Sequence, residues 1–203
     1  MLVVTIDRPP ANALDPELLN DGLAVLDHVR STRPKAVVIT GRGRFFSAGL
    51  DLKVAARLSA SERQRVLDGA GRLFAGWYSL PCPLVTAVNG HAVAGGLILA
   101  LCGDYRIGSE GRFGLTELRV GISYPPAALR VVTSELSAPA ARRLVLRADL
   151  VGAEAALELG IFDELVEGGS ARERGLELAA ELAGLPPDAY ARTKRTLRLW
   201  AGE

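Results

Sequence analysis

Two hydrophobic periods alternate along the chain. Short runs that are apolar at nearly every position recur at residues 2–6, 36–39 and 84–88, the pattern of strands buried on both faces. Between the first two, Leu18, Leu19, Leu23, Val25, Leu26 and Val29 recur mostly at helical spacing. Asp15, Pro16 and Glu17 supply an N-cap, a first-position proline and an acidic first turn, so the pattern predicts a helix from there to about residue 30. A second helix opens near Ser59 or Ser61, where Ser59 and Glu62 fit a capping box, and runs towards Tyr78. Residues 97–102 are apolar on every side and read as a short buried helix. Past Ile107 the pattern predicts a short strand at 112–115 and a turn through Thr116, Glu117 and Leu118. Helices follow at 126–135, 139–146 and 153–159, with Gly160 as the stop. An edge strand at 162–166 and helices at 171–183 and 187–200 close the chain. Strand and helix alternate through the first two-thirds and helices dominate the last third. The expectation is therefore an α/β layered core, residues 1–135, with a helical extension, 136–203, that carries one edge strand, the whole forming one domain.

Composition narrows the partners. Of 203 residues, 24 are basic and 23 acidic, a net charge of +1 that gives no reason to expect nucleic acid or an anionic membrane surface. Cys82 and Cys102 are the only cysteines, too few for a metal-ligand or disulfide framework, so no metal site is expected and the compartment reads as reducing and cytoplasmic. Met1 leads directly into the first apolar run with no basic leader, and no apolar run approaches the ~18 residues of a membrane span.

Candidate chemistry starts at residues 89–107. Asn89 and Gly90 break the buried strand, and Gly95 and Gly96 stand at the start of the apolar helix. The first N–H groups of a helix have no partner within it and carry the positive end of its dipole, so glycines there open those donors to a ligand. For this stretch alone, close packing of helix on sheet is the favoured account of Gly95 and Gly96, because a glycine pair before a helix is common. A second glycine-rich loop spans 41–49. It fails the dinucleotide fingerprint, because Phe46 stands where the third glycine belongs, and it lacks the Lys-Ser/Thr end of a Walker loop. It fails the nucleophile elbow too, since Ser47 has Gly49 after it but Phe45 before it. What remains is a pair of loops, each after a strand, that can offer one backbone donor apiece to a single oxygen: an oxyanion hole.

Four motifs give the chain a family resemblance. Phe46-Ser47-Ala48-Gly49-Leu50-Asp51-Leu52, followed by Asn89-Gly90-His91-Ala92-Val93-Ala94-Gly95-Gly96, resembles the crotonase (enoyl-CoA hydratase/isomerase) superfamily. Arg8-Pro9 with Asn12-Ala13-Leu14 is similar to that family's opening motif, and the segment from Gly160 through Val166 to its late one. The resemblance implies a spiral of ββα units, a coenzyme A thioester as substrate with no separate cofactor, and homotrimers or hexamers. It also implies that the N–H groups of Leu50 and Gly95 hold the thioester oxygen. Ala13, Ala48, Asp51, Lys53, Gly96 and Ile98 fall at positions that it places around the substrate or its nucleotide.

The carboxylates then separate branches of the family. The resemblance implies two glutamates for a typical hydratase, and these positions correspond here to Ile98 and Glu117. Isoleucine moves no proton. One carboxylate with an oxyanion hole suffices to take a proton from C2 and return one to C4, which matches the Δ3,Δ2-enoyl-CoA isomerases. Hydration, thioester hydrolysis or a non-catalytic acyl-CoA- or partner-binding scaffold are the alternatives, and Glu117 read alone is equally a surface carboxylate at a turn. Asp51 and Asp104 are expected to cap neighbouring N–H groups, His91 to pack at a turn, and His28 to be solvated. Arg42, Arg44, Lys53, Lys194 and Arg195 are candidate phosphate contacts or plain surface charges. Relatives continue beyond the point matching Trp200, so a more open pocket, or one covered by a partner, is expected.

Overall fold

The structure, a computed structural model, describes residues 1–200, so 201–203 of the expected extension lie outside it. Strand β1 (Leu2–Ile6) and helix α1 (Pro16–Thr32) open the chain. Three ββα units follow. The first is β2 (Val37–Gly41), β3 (Phe45–Ser47), a single helical turn α2 (Leu52–Ala55) and α3 (Ala60–Tyr78). The second is β4 (Leu84–Val88), β5 (His91–Val93) and α4 (Gly95–Leu101). The third is β6 (Tyr105–Gly108), β7 (Phe113–Gly114), a 3₁₀ turn at Glu117–Val120 and α5 (Pro126–Glu135). Then come α6 (Ala138–Leu146), β8 (Leu150–Val151), α7 (Ala153–Glu158), β9 (Glu164–Leu165), α8 (Ala171–Leu182) and α9 (Pro187–Trp200).

Each unit gives its first strand to a larger parallel sheet, ordered β1-β2-β4-β6-β9, and its second to a smaller one, ordered β3-β5-β7-β8. The apolar runs are explained by burial on both faces. Val37, Ile39, Leu84 and Val88 join the main core with α1, α3 and α4, whereas Val38, Val85 and Ala87 face Ala171, Leu178 and Ala179 of α8. The Asp15 side chain caps α1 by accepting from the Leu18 N–H at 2.8 Å, and Ser59 and Glu62 form the expected capping box on α3.

Three expectations are corrected. The 41–49 loop contains β3, and β5 and β6 were not foreseen, because strands of three or four residues are too short to show a period. In β6 the buried Arg106 also interrupts the apolar pattern. Its guanidinium meets Glu135 at 3.1 Å and Asp163 at 3.3 Å. The extension contributes two strands rather than one, β8 to the small sheet and β9 to the large, and α8 is a layer of the core.

Helix α9 is held by a buried ionic cluster. Asp104 accepts from Lys194 at 2.7 Å and pairs with Arg198 at 2.8 Å, all three side chains being about a tenth exposed or less. Asp104 also accepts the Leu84 N–H at 2.8 Å, the capping role expected of it, and Arg198 lies 3.9 Å over the Tyr78 ring. Lys194 is thereby a structural cation, not a phosphate contact.

Candidate active site

Three neighbouring strands of the small sheet, β3, β5 and β7, run parallel and release their following residues at one end. In parallel sheets that carboxyl end is where ligands are held. The central strand leads into Ala94 and Gly95. Ala94 has φ 52° and ψ −131°, a conformation that side chains with a Cβ rarely adopt. It turns Gly95 into the first position of α4 with an N–H that needs no helical acceptor.

The flanking loop after β3 lies directly against this turn. Gly49 has φ +73°, and a Cβ there would stand 2.7 Å from the Ala94 Cβ and 2.8 Å from the Gly95 nitrogen. The neighbouring polar groups are used up. The Gly49 carbonyl accepts from Leu14 N–H at 2.7 Å and the Asp51 N–H donates to the Leu14 carbonyl at 3.0 Å. Among the described residues, the Leu50 and Gly95 N–H groups donate to no acceptor, and both residues line one cavity of about 90 Å³. The two glycine loops thus bring one unpaired N–H apiece to the same cavity. Gly49→Ala is expected to force these loops apart, lowering stability by about 1–3 kcal/mol. Thermal unfolding checks it.

Asn12 stiffens this wall. It is buried, with φ 51°, and its side-chain amide donates to the carbonyls of Phe45 at 2.8 Å and Arg42 at 3.1 Å. Ser47 returns a bond from its hydroxyl to the Asn12 carbonyl at 2.7 Å. The opening motif thus serves to lace the first segment to the glycine-rich loop.

Glu117 enters from the other side of β5. Its 3₁₀ turn is closed by Gly121, in the left-handed region at φ 71°, and by the Ile122 N–H on the Glu117 carbonyl at 3.0 Å. Glu117 is the only ionisable side chain among the cavity's lining residues, and its Oε2 is buried without a hydrogen-bond partner. Burial holds its carboxyl above the ordinary value; its own backbone and Tyr124 pull the other way, less strongly. Thr116 and Ser123 also line the cavity, and most of the rest is apolar, including Leu14, Leu19, Phe74 and the 1 % exposed Ile98.

Of the residues singled out in the sequence, Ala48, Leu50, Gly95, Ile98 and Glu117 meet at this cavity. Four do not line it. Gly96 is a packing glycine, whose Cβ would fall 2.2 Å from the Ser47 carbonyl oxygen. Asp51 caps α2 by accepting from the Lys53 and Val54 N–H groups at 2.9 and 3.0 Å. Lys53 is exposed on α2, and Ala13 is half-buried in the opening segment. Outside the site, Arg42 pairs with Asp7 at 2.6 Å, and His28, Arg44 and Arg195 are exposed. His91 packs at its turn, accepting from the Arg112 N–H at 3.0 Å and meeting the Phe45 ring at 4.8 Å. The sequence reading missed Tyr124, which sits in a proline turn with no motif of its own, and the apolar walls, which α1 and α3 present as ordinary core.

Over residues 1–200 the chain matches the sequence profile described as enoyl-CoA hydratase/isomerase. The chain belongs to the enoyl-CoA hydratase/isomerase family. Within that family it is 38% identical over 201 residues to a putative enoyl-CoA hydratase of Thermus thermophilus, covering 96% of this chain and 79% of the relative. It is 33% identical over 204 residues to the carnitinyl-CoA dehydratase of Escherichia coli K12, covering 98% and 77%. Solved structures of the family superpose closely. A Mycobacterium tuberculosis protein described in one structure as an enoyl-CoA isomerase has TM-score 0.91 at 33% identity, covering 98% of this chain and 88% of that one. A structure of Mycobacterium tuberculosis H37Rv described as a probable enoyl-CoA hydratase has TM-score 0.92 at 33% identity, covering 98% and 86%. The fold is that of the crotonases, and the chain is an acyl-CoA-processing enzyme of this family. Among the described residues, no helix is long and apolar enough to cross a membrane and no group of three or more side chains is placed to hold a metal.

Proposed function

We propose that this enzyme is an enoyl-CoA isomerase, moving a C3 double bond to C2 with one carboxylate. The observation that carries the reading is the cavity's make-up: two unpaired N–H donors on one side, Glu117 on the other, and Ile98 on the wall between. The thioester oxygen accepts from the Leu50 and Gly95 N–H groups. Glu117 removes a proton from C2, and the electron pair spreads over the thioester carbonyl and the C3–C4 double bond. The donors stabilise the negative charge as it forms on oxygen. The same carboxyl then returns its proton to C4, leaving the double bond between C2 and C3. Burial suits this role, because a carboxylate whose pKa is held above its ordinary value is a stronger base toward the C2 proton.

Hydration is the competing reading, favoured by relatives named as hydratase and dehydratase. It calls for a second group to hold the attacking water, and Ile98 offers none. Ile98→Glu tests the distinction. The substitution is expected to raise crotonyl-CoA hydration and lower 3-hexenoyl-CoA isomerisation, with a loss of thermal stability because the new carboxyl is buried. A variant that folds yet hydrates no faster than wild type contradicts the role given to Ile98. The reading extends to a homotrimer or hexamer acting in the cytoplasm on a free acyl-CoA, and light scattering checks the assembly.

A further inference from the structure

We propose that Tyr124 is the positioning residue of this site: its hydroxyl turns to donate to one oxygen of the ionised Glu117 carboxylate, leaving the other oxygen to carry the proton. The proposal rests on the reading of Glu117 as the acid/base.

Two buried side-chain polar atoms of the described residues have no hydrogen-bond partner, Glu117 Oε2 and the Tyr124 hydroxyl. Buried polar atoms are paired in all but a few cases, and each unpaired one calls for an account. These two bear on one another, each altering the other's proton affinity, yet stand outside hydrogen-bond geometry. A hydroxyl donating to the carboxylate would satisfy both of these buried atoms at once.

The surroundings favour support over direct contact with substrate. Ser123 and Pro125 line the cavity with Glu117 while Tyr124 does not. The chain there is stiff. Pro125 sits at φ −58° and ψ 145°, Pro126 opens α5, and a residue before proline is confined to extended backbone. The phenol keeps its own proton, because burial and then the neighbouring carboxylate both raise its pKa. It is a donor and not a second base. The charged side chains on the elements packed nearby, Arg119 on the same turn, Asp68 and Arg72 on α3, Arg130 on α5 and Arg142 and Arg143 on α6, are all exposed, and none perturbs Glu117.

Tyr124→Phe removes the hydroxyl and keeps the ring. With carboxyl-labelled glutamate, the Glu117 signal is assigned by its loss in Glu117→Gln and titrated by carbon NMR in wild type and Tyr124→Phe. The hydroxyl favours the ionised carboxylate, so its removal is expected to move the titration to higher pH. The acidic limb of the isomerisation rate should move the same way. The kcat is expected to fall by roughly tenfold to a hundredfold, the worth of one bond to a charged group, with KM nearly unchanged. An unmoved Glu117 titration in a folded Tyr124→Phe protein overturns the proposal, as does a fall in kcat with an unmoved limb, which is the mark of packing alone. If the titration shifts but wild type isomerises nothing, the pairing stands and the isomerase reading is what fails.

Discussion

Glu117→Gln is expected to lower 3-enoyl-CoA isomerisation by roughly 10²–10⁴-fold, the usual worth of a positioned acid/base, with little loss of thioester binding. The amide keeps the size and polarity of the carboxyl and removes only its ability to take a proton. Stability should move in the opposite direction. Glu117 has a folded pKa above its unfolded value of 4.5, so the folded protein holds that proton more tightly. The stability this group contributes is complete below 4.5 and is lost as pH rises through the folded value. The burial that raises this pKa disfavours the ionised form, a cost that the neutral glutamine side chain does not carry. The expected result is a protein that is nearly inactive and at least as thermally stable. Near-wild-type turnover would mean that another group moves the proton, and a large loss of stability would mean that the carboxylate is a structural partner.

Asp104→Asn is expected to give the largest loss of stability, about 3–5 kcal/mol, because it leaves the buried Lys194 and Arg198 without their counter-charge. For a chain of this size that corresponds to a fall in Tm of roughly 6–20 °C. Lys194 is already held below its ordinary pKa, chiefly by burial, with Asp104 the main influence restoring its charge. Asparagine keeps a carbonyl oxygen for the Leu84 N–H, so the variant isolates the charge. The exposed pair Arg42–Asp7 provides the contrast. At 2.6 Å it is the shorter contact, but its side chains are 73% and 41% exposed, and Arg42→Met should change stability far less. Calorimetry on the two variants separates the cases, and equal losses would show that burial is not what gives the Asp104 cluster its weight.

The long elements were legible because burial leaves a period. The two-faced strands β2 and β4, the caps Asp15 and Ser59, and the stop at Gly160 each rest on a local rule that the packed structure did not override. The second strands of the first two ββα units were not, since three residues carry no period and their place depends on pairing with other short strands. In the site, the donor loops could be read from glycines, and Glu117 and Ile98 from their place in family motifs. Gly96 and Lys194 were misplaced for one reason. A glycine pressed on a carbonyl and a lysine paired with a distant aspartate look, in one dimension, like a ligand loop and a free cation. Tyr124 gave no signal because its proposed role depends on a side chain seven residues back, on the 3₁₀ turn.

The central claim is that one carboxylate, facing an oxyanion hole across an apolar wall, makes this family member an isomerase. Its most direct test is the wild-type enzyme assayed side by side on 3-hexenoyl-CoA for isomerisation and crotonyl-CoA for hydration. The account predicts that trans-2-hexenoyl-CoA forms far faster than 3-hydroxybutyryl-CoA. Hydration equal to or faster than isomerisation would contradict it, and with it the role given to Ile98.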